Sequence, residues 1–93
     1  MKILTGEVSG STTRKQLPDI EFELCQIKAV ASNSGKVYVG NSGVTKPDGT
    51  TDTSSGMELA AGDFTWFIMP GNLSDVWIIC DNAGDDIVYI INQ

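Results

Sequence analysis

Apolar residues along this chain recur at every second position in short runs, and glycine, asparagine, aspartate and proline separate the runs. Ile20, Phe22 and Leu24 alternate with Glu21 and Glu23, the period-two signature of a strand with one buried face. After Leu24 the phase slips, because Cys25, Ile27 and Ala29 continue the apolar series on the opposite face. A β-bulge at Leu24-Cys25, or a strand passing from one packing environment to another, accounts for the slip. A helix over residues 20–31 is the lesser alternative, having only Asp19 as a cap. Ile3 to Val8 reads as a first strand. Ser9 to Arg14, built of Gly, Ser and Thr, reads as a loop or flexible arm closed off by Pro18. Asn33-Ser34-Gly35 signals a hairpin between Ala29-Val30-Ala31 and Lys36-Val37-Tyr38-Val39. A second turn at Asn41-Ser42-Gly43 leads to a polar loop over residues 46–56 and a short strand, Met57-Glu58-Leu59. Strands over Phe64 to Met69, Val76 to Cys80 and Asp86 to Ile91 complete the series.

About eight short strands with closely spaced turns predict an all-β, single-domain β-sandwich, jelly-roll-like in character. On this reading residues 1–19 are an N-terminal strand, flexible arm and loop, and residues 20–93 are the sandwich domain. The last three strands are apolar on both faces. Phe64, Trp66 and Ile68 oppose Phe67 and Met69, while Val76, Ile78 and Cys80 oppose Trp77 and Ile79. Ile87, Tyr89 and Ile91 oppose Val88 and Ile90. A sandwich of this size has one interior, so one set of faces needs another cover. The expectation is a homo-oligomer with Trp66, Phe67, Trp77 and Ile79 at the interface. The alternative is that the N-terminal arm folds over the second face within the chain.

With 93 residues the chain makes one domain, and 41% hydrophobic against 19% charged residues is a globular composition. Apolar runs such as Val76 to Cys80 fall far short of the roughly 20 residues of a membrane helix. The start, Met1 to Glu7, shows no secretory apolar stretch. The net charge of −6 is uneven: positions 1–46 carry +2 and positions 47–93 carry −8 with no basic residue at all. Such a balance argues against nucleic acid, whose binding rests on Lys and Arg meeting phosphates. It gives an acidic, solvated exterior, or lets the mildly basic N-terminal part dock on an acidic neighbour such as another copy. Cys25 and Cys80 read as two buried thiols, with a disulfide or a metal pair as the alternatives.

Without histidine, Ser-His, Cys-His and His-metal arrangements are excluded. The carboxylate pairs Glu21/Glu23 and Asp85/Asp86 read as a solvated strand face and a turn, although the first has the spacing for acid–base work. Residues 48–52 and 81–86 are oxygen-rich and suit calcium, but neither has EF-hand spacing and both are ordinary turn compositions. Asn72-Leu73-Ser74 matches a glycosylation sequon. The expectation is therefore a protein without catalytic residues, cofactor or resident metal.

The run Lys36-Val37-Tyr38-Val39-Gly40, then Val44-Thr45, then Gly56-Met57-Glu58-Leu59-Ala60-Ala61-Gly62-Asp63, resembles small virion proteins of tailed bacteriophages. In these a similar run precedes an aromatic strand, followed by strands like Val76-Trp77-Ile78-Ile79 and Ile87-Val88-Tyr89-Ile90. The resemblance spans residues 22–91 and consists of strands and turns without a chemical signature. It implies a capsid decoration (cement) protein, commonly trimeric, that binds the major capsid protein on the virion surface after synthesis in the host cytoplasm. A ligand- or receptor-binding module of a head or tail fibre is the second possibility it implies. It also suggests that residues 1–19 are an arm that orders on a neighbouring capsid subunit.

Overall fold

The computed structural model, which describes residues 1–93, has ten strands and one short 3-10 turn, with two short strands at Lys15–Gln16 and Gly71–Asn72 beyond those the alternation predicts. Strands β1 (Ile3–Ser9), β4 (Leu24–Ala29), β7 (Phe64–Phe67) and β10 (Asp86–Asn92) make one antiparallel sheet in the order β1-β10-β4-β7. Strands β2 (Lys15–Gln16), β5 (Val37–Gly40), β6 (Met57–Leu59) and β9 (Trp77–Cys80) make a second, in the order β2-β9-β5-β6. Strands β3 (Glu21–Phe22) and β8 (Gly71–Asn72) pair as a small ribbon. The chain passes between the two large sheets at nearly every connection, giving a sandwich-like, nearly all-β domain.

One shared core explains the arrangement. The first sheet turns Val8, Cys25, Ile27, Ala29, Ile87 and Ile91 inward, and the second turns Val37, Val39, Leu59, Ile78 and Cys80 to meet them. Leu17, Phe22, Leu73 and Val76, from the connecting segments, plug the ends. The phase slip at Leu24 is a passage between environments and not a bulge. The chain bends at Glu23, leaving β3 in the ribbon with Phe22 buried and β4 in the large sheet with Leu24 turned out.

Two local readings of the sequence are corrected. Asn33-Ser34-Gly35 is not a hairpin turn, because β4 pairs with β10 and β7 while β5 pairs with β6 and β9. The turn instead carries the chain from one sheet to the other, and distant residues hold it. Asp85, only 5% exposed, accepts from the Ser34 N–H at 3.0 Å and the Gly35 N–H at 2.9 Å. Second, residues 1–19 are not a separate arm. Strand β1 pairs with β10 in register from Ile3↔Asn92 to Ser9↔Asp86, and Leu17 lies in the core. The reason is that β10 is apolar on both faces and central to its sheet, so it needs a neighbour on each side.

Asp81 clamps the same region, accepting from the Lys36 N–H at 3.0 Å and the Tyr38 hydroxyl at 3.1 Å. The Lys36 N–H holds the Asp81 carboxyl below the usual carboxylate range, and the Ser34 N–H does the same for Asp85. Both groups therefore bind protons more weakly folded than unfolded. Their contribution is complete above the ordinary carboxylate value of about 4 and is lost as pH falls through the lowered values. Thermal midpoints measured by circular dichroism are expected to drop steadily below about pH 4. Asp85→Asn should flatten that dependence; an unchanged slope would remove Asp85 from the account.

Candidate interaction surface

The outer face of the first sheet is where the apolar surplus comes to the surface. The strand register sets its rows: Ile3, Asn92 and Leu24; then Thr5, Ile90, Gln26 and Trp66; then Glu7, Val88, Lys28 and Phe64. An apolar band thus runs through Ile3, Leu24, Ile90 and Trp66, with Met1 beside it around a shallow 210 Å³ depression. Trp66 is 52% exposed and Ile68, just beyond β7, is 75% exposed. No segment of the chain lies over this band. The opposite end of the same face is mixed, with Glu7 and Lys28 interspersed among Val88 and the exposed Phe64.

The outer face of the second sheet is covered by the chain itself. Residues 41–56 fold back over it and seat the fully buried Val44 against Gly40 and Gly56. A β-carbon at Gly40 would lie 2.8 Å from Val44 Cγ2, and one at Gly56 would lie 2.8 Å from Tyr38 Cβ. Both positions require glycine because the loop packs that closely on the sheet. Arg14 reaches across from the other edge and donates through Nε to the Val44 carbonyl at 2.7 Å. Tyr38 is buried beneath this cover, which together with the Asp81 bond pushes its hydroxyl pKa up.

The four residues expected at an interface are therefore not brought together. Trp66 lies exposed on the outer face of the first sheet. Phe67 alternates inward, half-buried, with its ring 6.4 Å from that of Phe22. Trp77 and Ile79 are half-buried on the outer face of the second sheet, in the rows of Gly40 and Tyr38. The intrachain cover exists, and loop 41–56 provides it, with Arg14 of the N-terminal segment bonded to its Val44 carbonyl. The exposed residues Ile3, Leu24, Phe64 and Ile90 were missed because two-sided apolar strands do not reveal which face a second sheet takes.

Between β7 and the β5–β6 side of the second sheet the sandwich gapes into a groove of about 460 Å³. Val39, Met57, Phe67 and Met69 line it with Asn72 and Asp75. Past Phe22, Pro70, Gly71 and Asn72 it runs into an open trough bordered by Glu21, Glu23 and Gln93. No lysine or arginine lines either part.

The other candidate chemistry resolves into local structure. Asp48 Oδ1 accepts from the Thr50 N–H at 2.9 Å, and Asp52 Oδ1 from the Ser54 and Ser55 N–H groups at 2.9 and 2.8 Å. These bonds give both carboxylates a role in shaping the loop itself. Nowhere do three or more His, Cys, Asp or Glu side chains gather as a metal would require. In the sequon, the Asn72 side chain donates to Asp19 at 2.8 Å and caps the 3-10 turn by accepting from the Ser74 N–H. Cys25 and Cys80 are separate buried thiols, and burial pushes Cys25 up to about 11, so it stays protonated at neutral pH. Comparison with protein-family models, with curated proteins and with solved structures finds no match to this chain.

Proposed function

We propose that this chain is a structural protein of a tailed-phage virion. It acts as a capsid decoration protein that assembles as a homotrimer and binds the outer surface of the major capsid shell, reinforcing it. The observation that carries the reading is the uncovered apolar band of Ile3, Leu24, Ile90 and Trp66 on the first sheet. An exposed, contiguous band of this kind marks an association surface in a water-soluble domain. At about 25 cal/mol per Å², burying a few hundred Å² per subunit contributes several kcal/mol before association costs. The resemblance of residues 22–91 to phage virion proteins supports this choice of assembly, and the lack of histidine removes Ser-His, Cys-His and His-metal chemistry.

Light scattering after size exclusion tests the self-association. Three chain masses are expected for the native protein and one for Trp66→Lys, with both retaining the same far-ultraviolet spectrum. Co-sedimentation with undecorated capsids then tests the partner, and saturable binding lost in Trp66→Lys is expected. A native monomer that ignores capsids would end this reading.

One observation favours a second reading, a ligand- or receptor-binding module of a head or tail fibre. The groove places Trp66 and Phe67 near Asn41, Asn72 and Asp75, an aromatic platform beside hydrogen-bonding groups that suits a sugar. Saturable shifts of these residues with a neutral oligosaccharide, from a protein that is monomeric, would favour it.

A further inference from the structure

Edge strands normally carry charge, proline or a bulge that discourages further pairing. Three of the four edges of the two large sheets follow that rule, with Glu7 in β1, Lys15 in β2 and Glu58 in β6. The fourth does not. From Phe64 to Met69, through β7 and just past it, the chain reads Phe-Thr-Trp-Phe-Ile-Met, without charge, proline or glycine.

The backbone of that edge is open as well. The Ala29 N–H donates to the Asp63 carbonyl at 2.8 Å, which sets the register of hydrogen bonding where β4 meets β7. Bonded and non-bonded pairs alternate along an antiparallel ladder. Thr65 and Phe67 therefore turn their N–H and C=O groups toward β4, while those of Phe64 and Trp66 point out at the edge. No turn or loop bond uses either residue. Directly beside this edge lies the groove, whose walls are apolar and whose charged groups, with those of the adjoining trough, are Asp75, Glu21 and Glu23.

We propose that β7 receives an added antiparallel strand: an extended segment of a partner protein in which apolar residues alternate with lysine or arginine. Its backbone pairs with Phe64 and Trp66, and its inward side chains fill the groove against Phe67, Met57 and Met69. Alternation puts its cations on the outer side of the added strand, where the summed negative field of Glu21, Glu23 and Asp75 attracts them without direct pairing. Strand addition draws affinity from main-chain hydrogen bonds and specificity from alternate side chains, and both parts of that site are present here. A second copy of this chain is disfavoured as the occupant because none of the edge strands of its two large sheets, β1, β2, β6 and β7, alternates apolar residues with lysine or arginine. The inference shares Trp66 with the capsid reading but rests on the backbone of the edge and on the groove, neither of which the outer band uses.

The test is titration of isotope-labelled protein with a peptide of about nine residues alternating lysine and valine, against one alternating glutamate and valine. Saturable binding of the lysine peptide alone is expected, with slowed amide exchange at Phe64 and Trp66 and none at β1. Trp66→Pro removes an outward N–H while leaving the ladder to β4 intact, and should abolish binding. Glu21→Lys with Glu23→Lys should weaken the lysine peptide by about tenfold and leave the subunit number unchanged, which separates this test from that of the outer face. The double variant decides the matter if Trp66→Pro fails to fold. Equal binding of both peptides, protection at β1 instead, or concentration-dependent protection at β7 without peptide would each overturn the proposal.

Discussion

Leu17→Ala is expected to destabilise the protein by about 3 kcal/mol, measured by urea or thermal unfolding. Leu17 is 2% exposed and lies in the core with residues from both large sheets. Its N–H donates to the Val76 carbonyl at 3.0 Å, which fixes the segment against the end of β9. Truncation removes buried methyl groups and leaves a cavity that neighbours on rigid strands close poorly. A domain of this size has a total margin of about 5–15 kcal/mol, so the loss is a large share of it. Deleting residues 1–19 should go further and leave an unfolded chain. It would strip β10 of one of its two neighbours and uncover Ile87, Tyr89 and Ile91 together with the space left by Val8. A truncated protein with a cooperative melt near that of the full chain would show that the first 19 residues are an appendage after all.

Gly56→Val is the second large effect, expected at about 3 kcal/mol through overpacking. A β-carbon at Gly56 would meet Val44 Cγ2 at 2.7 Å and the Tyr38 backbone carbon at 3.1 Å. The strand backbone has no room to yield, so the loop must move. Lifting residues 41–56 removes Val44 from its seat and uncovers the face that carries Tyr38, Trp77 and Ile79. In a Trp66→Phe background, where Trp77 is the only indole, its emission should shift to the red and become open to iodide quenching. Unchanged stability and quenching would mean that Val44 does not hold the cover. The variant also bears on assembly, because a newly exposed second face is expected to promote aggregation.

These two residues mark where sequence reasoning stops. Leu17 stands alone between polar neighbours and Pro18, and Val44 lies between turns rich in Asn, Ser and Gly. Neither belongs to an alternating run, so neither advertises burial. The strands around Phe22, Ile27, Val37, Ile78 and Ile87 did advertise it, because a period of two places every second residue on one face whatever the topology. The same local rule made a break in phase legible, which the alternation put at Leu24-Cys25 and the structure puts one residue earlier, at Glu23. The surplus of apolar faces in the last three strands was equally plain.

Pairing partners were not legible. The Asn33-Ser34-Gly35 turn has hairpin composition, yet Asp85, some fifty residues away in sequence, holds it open as a crossing between sheets. Which apolar face stays in water depends on long-range packing of the same kind. Loop 41–56 packs on the sheet face that carries the half-buried Trp77 and Ile79, whereas nothing covers Trp66. The sequence by itself determined the longer strands but not β2 and β8, and with them the alternating faces, the acidic character and the excess of apolar surface, since each is a property of neighbouring residues. Only the tertiary structure decided strand order, the place of the first 19 residues and the position of the exposed band and open edge. Those depend on contacts between segments far apart in the chain, which local periodicity does not encode.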